Sequence, residues 1–360
     1  MELPPVIAPD VDAHRAAVAR HAELAVPDGA LGRLAELGVW LAAAQGACPP
    51  RPPARARVVV VAGDHGIAAA GVSADPPGAT ARQVAAVRDH TAPVGVVAPV
   101  AGVSVRAVDL ALDTPPDGTE RHRVRRGTGR IDREDALTAD EVERAVAVGR
   151  ALADEEVDSG ADLLLPASLG VGATTPAATL VATLTGAEPV AVIGRGSGID
   201  DAGWMRKAAA VRDALRRARP HARDPLALLR VAGGADIAAL TGFCLQAALR
   251  RTPVLLDGLV VGAAALLADE LAAGAREWWL GAQKSPDPAM ALVEEHLHLS
   301  PVLDLGIRLG DGTGAVAAVP LLQMAARLLA ETATAVPTAT TSPAATSQAA
   351  IPQATEPGPA

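Results

Sequence analysis

Five short runs rich in β-branched or aliphatic residues recur along the chain. Continuous apolar runs of this length are typical of strands that are covered on both faces, as in a parallel sheet. They predict buried strands over residues 58–61, 103–110, 162–165, 189–193 and 253–256.

Alanine-rich segments with helical periodicity lie between these runs. The clearest follows Thr138, where Glu141 three residues later completes a capping box and apolar positions then recur on one face. A second helix is predicted over 177–184. Because strands and helices alternate, the pattern predicts an α/β fold with right-handed crossovers: a mostly parallel, Rossmann-like sheet flanked by helices.

The two ends of the chain differ from this centre. Segments 11–46 and 288–332 are helical in pattern and lack strand-like runs, so they are expected to form a smaller helical lobe beside an α/β domain of about 50–287. Residues 11–332 would then be one folded unit after a flexible N-terminus over 1–10. Residues 333–360 are rich in Thr, Pro and Ala and predict a disordered tail.

Composition excludes several classes of protein. The chain has 360 residues, half of them apolar, which is enough to bury a large core. A net charge of −9 argues against a nucleic-acid partner, which selects basic surfaces. With one Phe, four Trp and no Tyr, the chain also offers few rings for stacking bases.

The cysteine content, the N-terminal sequence and the hydropathy argue against further classes of protein. Cys48 and Cys244 are too few and too far apart for a disulfide framework or a zinc knuckle. The first residues lack the basic charge of a signal peptide, and the most apolar stretch, 255–275, is interrupted by Asp257, Asp269 and Glu270. We therefore expect a soluble cytoplasmic protein with no membrane span.

Glycine-rich segments carrying polar residues follow the predicted strands. They cover 63–66, 169–176 and 194–198, and a fourth at 310–314 opens a predicted helix. Glycine lets backbone N–H groups approach a phosphate or a flat ring closely, and ligands of open α/β sheets bind beyond the carboxyl ends of the strands. Together these segments predict one small-molecule site for a phosphorylated metabolite.

Each segment has a candidate role and a structural alternative. The glycines and threonines of 170–175 resemble a phosphate cradle at a helix N-terminus, and Lys207 can meet a phosphate or lie on a helix surface. Asp64 and His65 can bind substrate or simply close a turn. Asp311, set between two glycines, can act as a general base or cap the next helix.

The sequence lacks the motifs of two classes of nucleotide-binding enzyme. No Gly-x-x-x-x-Gly-Lys-Ser/Thr sequence occurs, which excludes a P-loop triphosphatase. The glycine spacing at 194–198 differs from the Gly-x-Gly-x-x-Gly of dinucleotide-binding folds, although an unrelated nucleotide-binding oxidoreductase stays a remote alternative.

In order along the chain, these segments resemble the nicotinate-nucleotide:dimethylbenzimidazole phosphoribosyltransferase family of cobalamin lower-ligand assembly. The resemblance spans about 25–331 and includes Pro-Asp-Gly-Ala-Leu-Gly-Arg-Leu, Asp-His-Gly, Thr-Ala-Arg-Gln and Thr-Thr-Pro-Ala-Ala. These blocks occupy 27–34, 64–66, 80–83 and 174–178, and further matching blocks lie at 233–258 and 308–320.

The resemblance implies an enzyme without a cofactor or metal, usually a homodimer, that joins nicotinate mononucleotide and 5,6-dimethylbenzimidazole to give α-ribazole 5'-phosphate and nicotinate. It implies that Asp311 is the general base and that Gln83, with Asp64 and His65, binds the azole. The residues expected to bind the phosphate and nucleotide are Gly170, Gly172, Thr174, Thr175, Gly196, Ser197, Gly198, Lys207, Gly312 and Thr313.

The chain departs from the family pattern at functional positions. Asp311 and Ser168 both stand where the family usually has Glu, and Ala173 and Ala30 replace an Asn and a Ser of the family motifs. The shorter carboxylate side chain at position 311 and the absence of a carboxylate at position 168 motivate a second hypothesis. In it, the chain is a non-catalytic relative that binds nicotinate mononucleotide or a benzimidazole as a sensor or partner subunit.

Overall fold

The sheet is parallel and has five strands within the residues that the structure describes. The computed structural model describes residues 3–114 and 120–335, so most of the predicted tail lies outside it. The strands run in the order β2-β1-β3-β4-β5 across the sheet, and all their pairings are parallel. This confirms the predicted α/β class. The strands are β1 Ala56–Gly63, β2 Ser104–Ala111, β3 Leu163–Leu169, β4 Val254–Leu256 and β5 Trp279–Gly281.

Helices cover both faces of the sheet. The capping box at Thr138 is present, and the helix that follows it spans twenty residues. The helices are α1 Val11–Glu23, α2 Arg33–Gln45, α3 Ala79–Arg88, α4 Pro93–Val97, α5 Ala139–Asp158, α6 Thr174–Thr185, α7 Asp201–Ala218, α8 Pro225–Ala232, α9 Ala235–Leu249, α10 Leu259–Leu271, α11 Pro288–His296 and α12 Thr313–Glu331.

Alternate side chains of β1 enter two separate cores, which explains why its apolar run is continuous. Val59 and Val61 pack with helices α5 to α11 in the larger core. Val58 and Val60 pack on the other face with α2, α4 and α12. Because neither face meets water, no polar position is needed between Val58 and Val61.

One predicted strand is wrong and one strand was missed. Residues 189–193 form no strand: a 3₁₀ turn spans Pro189–Ala191, and Val192 and Ile193 are buried in the core beside α7. Pro189 lacks the N–H that a central strand must donate, so burial here occurs without pairing. The missed strand, β5, is only three residues long and gives too short an apolar run to predict.

The N- and C-terminal helices lie together. α2 packs against both α1 and α12, and Leu24 forms an isolated bridge with Thr334 beyond the end of α12. α11 instead packs on α10 and α6, next to the sheet-covering helices. The division of the chain into an α/β domain and a helical lobe stays a prediction.

Helix α12 is, within the described residues, the one helix long and apolar enough to cross a membrane by length and composition. Half of that span is buried inside the protein. Its residues Ala315, Val316, Val319 and Leu322 belong to the core beneath the sheet, and this burial accounts for its apolar composition.

Helices α5 and α9 approach each other closely because glycines face the contact. A Cβ at Gly149 would lie 1.7 Å from the carbonyl oxygen of Ala239. We expect Gly149→Ala to separate the two helices and lower the free energy of unfolding by about 3 kcal/mol or more, as severe overpacking does. Urea denaturation checks this, with the exposed Ala147→Ser on the same helix as control. Equal stability of the two variants would contradict the close packing.

Candidate active site

The topology creates a crevice beyond the carboxyl ends of β1 and β3. The chain passes from β1 to β2 at one side and then continues with β3 at the other side, so the connections diverge between β1 and β3. The loop after β3 crosses the end of β1 there, and a Cβ at Gly170 would lie 2.4 Å from the carbonyl oxygen of Gly63. Glycine at position 170 therefore permits this crossing.

A cavity of about 640 Å³ opens at this end of the sheet. Its walls come from segments that follow β3, β4 and β5, together with the loop before α7, the 72–75 segment and the 307–310 segment. Seven of the predicted site residues lie on these walls: Gln83, Ser168, Gly170, Gly172, Thr174, Gly196 and Ser197.

A buried lysine lies behind the wall near the start of α6. The Lys207 ammonium donates to Thr174 Oγ1 at 2.8 Å and to the Gly194 carbonyl oxygen at 3.2 Å, and the side chain is only 1% exposed. Burial lowers the pKa of Lys207 to about 8, although the Asp287 carboxylate acts in the opposite direction. Thr174 and Gly194 both line the cavity, so this cation is one contact away from a ligand there.

The Asp287 carboxylate faces the same region. It caps α11 by accepting from the Ala289 N–H at 3.2 Å and lies on the cavity wall. Burial raises the pKa of Asp287, and the charge of Lys207 opposes that shift. Lysine and aspartate thus place charges of both signs at this end of the cavity.

Two carboxylates meet at the N-terminus of α12. Asp257, directly after β4, accepts from the N–H groups of Gly314 at 2.9 Å and Ala315 at 3.2 Å. Asp311 is 4% exposed and accepts from the Thr313 N–H at 3.0 Å, next to the cavity-lining Gly310. Both carboxylates therefore use the positive end of the helix dipole.

Asp257 has a pKa well above its ordinary value. Burial raises the pKa of Asp257 to about 6; the hydrogen bonds from the helix oppose the shift, and the negative charge of Asp311 adds to it. Gln283 donates to the Ile307 carbonyl oxygen at 2.8 Å and approaches Asp257 at 3.5 Å, which connects the carboxylates to the cavity wall.

This pKa predicts a pH dependence of stability. The folded protein holds the Asp257 proton up to about pH 6, whereas an unfolded aspartate releases it near its usual value of 3.8. The contribution of Asp257 to the free energy of unfolding is therefore fully present below about pH 3.8. It falls by on the order of 2–3 kcal/mol as the pH rises to about 6 and above. Asp257→Asn should remove this loss, as denaturation at pH 4 and pH 7 would show. An unchanged pH dependence in the variant would contradict the assignment.

Ser168 is on the wall with a free hydroxyl. The side chain is 7% exposed, and its Oγ has no hydrogen-bond partner among the described residues. Its N–H donates to the Gly310 carbonyl oxygen at 3.0 Å, which fixes the end of β3 to the segment carrying Asp311. The Oγ atom itself is buried from solvent.

Asp64 and His65 lie away from the cavity wall. Asp64 accepts from Thr80 Oγ1 at 2.5 Å and from the Asp113 N–H at 3.1 Å. The His65 Nε2 is 3.0 Å from Asp236 Oδ2, and neither side chain is exposed. Both residues bind other parts of the protein beneath the crevice.

The other predicted residues also lie off the walls. Thr175 is fully buried in α6, and Gly198, Gly312 and Thr313 are outside the cavity lining. Sequence reasoning missed Asp257 as a site carboxylate, although it directly follows a correctly predicted strand. It also missed Gln283 and Asp287, which follow the unpredicted β5. Within the described residues, no three His, Cys, Asp or Glu side chains are grouped to hold a metal.

Comparisons with known proteins agree with the fold. A family model described as phosphoribosyltransferase matches residues 6–338. A nicotinate-nucleotide–dimethylbenzimidazole phosphoribosyltransferase of Mycolicibacterium paratuberculosis is 57% identical over 336 residues, which is 93% of this chain and 96% of that protein. The protein of the same name from Mycobacterium tuberculosis is 55% identical over 332 residues, 92% of each chain.

A solved structure extends the similarity to three dimensions. The crystal structure of nicotinate-nucleotide–dimethylbenzimidazole phosphoribosyltransferase from Thermus thermophilus superposes with a TM-score of 0.85 at 38% sequence identity. The match covers 90% of this chain and 97% of the Thermus chain.

Proposed function

Because this chain belongs to the nicotinate-nucleotide–dimethylbenzimidazole phosphoribosyltransferase family, we propose that it transfers the phosphoribosyl group of nicotinate mononucleotide to 5,6-dimethylbenzimidazole or a related azole. The products are α-ribazole 5'-phosphate and nicotinate. The observation that carries the proposal is the 57% identity over nearly the whole of both chains. The protein is accordingly a glycosyltransferase of the pentosyl class.

The chemistry makes few demands on the protein. The pyridinium of nicotinate mononucleotide is already a cationic leaving group. The azole nitrogen forms a new bond to C1' of the ribose as the bond from C1' to the nicotinate nitrogen breaks. The enzyme supplies binding of the phosphate, alignment of the azole on the opposite face of the ribose, and removal of the azole N–H proton.

The region around Lys207 suits the phosphate. The ammonium is held by Thr174 at 2.8 Å, at the N-terminus of α6, where backbone N–H groups and the helix dipole favour an anion. Gly172, Gly196 and Ser197 line the adjoining wall. A phosphate bound here would lie one contact away from the Lys207 ammonium, and its negative charge would raise the pKa of that group.

Another part of the cavity wall suits the azole. Gln83 lines the wall from α3, and the Ser168 N–H donates to Gly310 in the segment that bears Asp311. We assign proton removal to Asp311, whose carboxylate is fixed by the Thr313 N–H, with Asp257 as its buried neighbour. Asp64 and His65 support this wall from beneath.

Assembly and location are further parts of the proposal. A homodimer is consistent with exposed apolar residues near α4, where Val96 is 58% and Val100 is 89% exposed. Sedimentation of the purified protein would report a dimer, and a monomer at working concentration would exclude this part of the proposal. A cytoplasmic location stays a prediction.

Nicotinate release that depends on an azole tests the function. Purified protein is incubated with nicotinate mononucleotide and 5,6-dimethylbenzimidazole, benzimidazole, adenine or no acceptor, and nicotinate is quantified by chromatography. Release only with an acceptor is the expected result. Binding of nicotinate mononucleotide without release with any acceptor would favour the sensor hypothesis instead.

A further inference from the structure

One of two arginines on the cavity wall is free to bind a ligand. Arg195 donates to the Ile199 carbonyl oxygen at 2.9 Å and to Asp201 at 2.5 Å, so its guanidinium is engaged. Arg308 also lines the cavity and is exposed to it. Across residues 3–114 and 120–335, no hydrogen bond or ion pair engages the Arg308 guanidinium.

The backbone around Arg308 is anchored on both sides. The Ile307 carbonyl oxygen accepts from Gln283 Nε2 at 2.8 Å, and the Gly310 carbonyl oxygen accepts from the Ser168 N–H at 3.0 Å. Gln283 and Ser168 both line the cavity. Arg308 is therefore an unpaired cation on a fixed segment of the wall, an arrangement that favours an anionic group of a ligand.

The substrate of the proposed reaction carries two anionic groups. One is the 5'-phosphate, for which Lys207 and the start of α6 are assigned above. The other is the carboxylate on the pyridine ring. We propose that Arg308 binds the carboxylate of the nicotinate moiety and thereby selects nicotinate mononucleotide over nicotinamide mononucleotide; this rests on the proposed function.

The reaction itself strengthens this ion pair. Before reaction the nicotinate moiety is a zwitterion, with a pyridinium and a carboxylate. As the bond from C1' to the pyridine nitrogen breaks, its electron pair goes to that nitrogen, the azole lone pair forms the new bond to C1', and Asp311 takes the azole proton. The departing nicotinate is then a net anion.

Arg308 consequently interacts more favourably with the transition state than with the bound substrate. An interaction that strengthens along the reaction raises kcat as well as affinity. With nicotinamide mononucleotide the ring is a cation before reaction and neutral afterwards, so the guanidinium has no carboxylate to pair with. The selectivity thus arises from charge, with no difference in ring size.

Selectivity between the two mononucleotides tests the proposal. kcat/KM is measured for wild type, Arg308→Gln, Arg308→Lys and a control, Arg327→Gln, whose exposed guanidinium pairs with Glu331 on α12. Arg308→Gln should lower kcat/KM for nicotinate mononucleotide by about 30–100-fold, the range for losing a charged hydrogen bond, and that for nicotinamide mononucleotide by less than about threefold. Arg308→Lys should recover part of the loss, and the control should behave as wild type.

A binding measurement separates this inference from the proposed function. Calorimetry with free nicotinate and nicotinamide should show that Arg308→Gln weakens nicotinate alone, by about tenfold or more. If wild type forms no product but binds nicotinate through Arg308, the transfer reaction fails and the inference stands. Equal losses for both mononucleotides, or no loss of nicotinate binding, would overturn the inference.

Discussion

The variant Asp311→Asn is expected to lower kcat about a thousandfold, within the range for removing a general base. Asparagine keeps the shape and can still accept from the Thr313 N–H, which is 3.0 Å from the carboxylate in the folded protein. The fold and the cavity should therefore persist. KM for nicotinate mononucleotide should change by less than about threefold, because the proposed role of Asp311 is to act on the azole and not on the nucleotide. Steady-state kinetics with saturating azole measures both values.

Asp311→Glu is the matched control for this prediction. It lengthens the side chain by one methylene to the residue usual in the family and retains the carboxylate. We expect activity within about tenfold of wild type, since the glycines on either side leave room for adjustment. Full activity of Asp311→Asn would assign the proton to another group, with Asp257 the first to examine.

The variant Lys207→Met is expected to lower kcat/KM for nicotinate mononucleotide by about a hundredfold or more, because the buried cation behind the proposed phosphate site is lost together with its hydrogen bond to Thr174. The same change should stabilise the protein by about 1–2 kcal/mol at pH 7, since it removes a buried ammonium and fills the space with an apolar chain. A residue that costs stability and supports activity is typical of a binding site.

The pKa of Lys207 gives this prediction a pH signature. Its folded-state pKa of about 8 lies below the usual 10.5, so the unfolded chain binds more protons between these values. Wild-type stability should therefore rise over that window, and the advantage of Lys207→Met should shrink there. In wild type kcat/KM should fall above about pH 8, as the free enzyme loses the ammonium. Lower stability of the variant at pH 7, or unchanged kinetics, would contradict a phosphate role.

Four of the five predicted strands are present, and at Val58–Val61 burial on both faces explains the uninterrupted apolar run. Residues 189–193 carry the same pattern yet form no strand, because Val192 and Ile193 are buried by packing beside α7 while Pro189 removes a donor. The hydrophobicity of a segment indicates whether it is buried. Whether the segment also pairs as a strand depends on neighbours that are distant in the chain. β5 exists only because β4 lies beside it.

The candidate site, like the fold, was predicted only in part from the sequence. The glycine segment after β3 places Gly170 and Thr174 on the cavity wall, since the carboxyl ends of parallel strands share one edge. Ser197 also lines the cavity, although the segment before it forms no strand. Asp64 follows a strand equally closely but turns inward to Thr80. The direction of a side chain is set by contacts such as this one, 16 residues along the chain. No local pattern encodes it.

Proton NMR of a complete reaction tests the central claim most directly. With purified protein, nicotinate mononucleotide and 5,6-dimethylbenzimidazole, we predict that nicotinate and α-ribazole 5'-phosphate appear in equal amounts and that both are lost in Asp311→Asn. Nicotinate without the ribazole product would mean a hydrolase. Unchanged substrates after prolonged incubation with wild-type protein would contradict phosphoribosyl transfer.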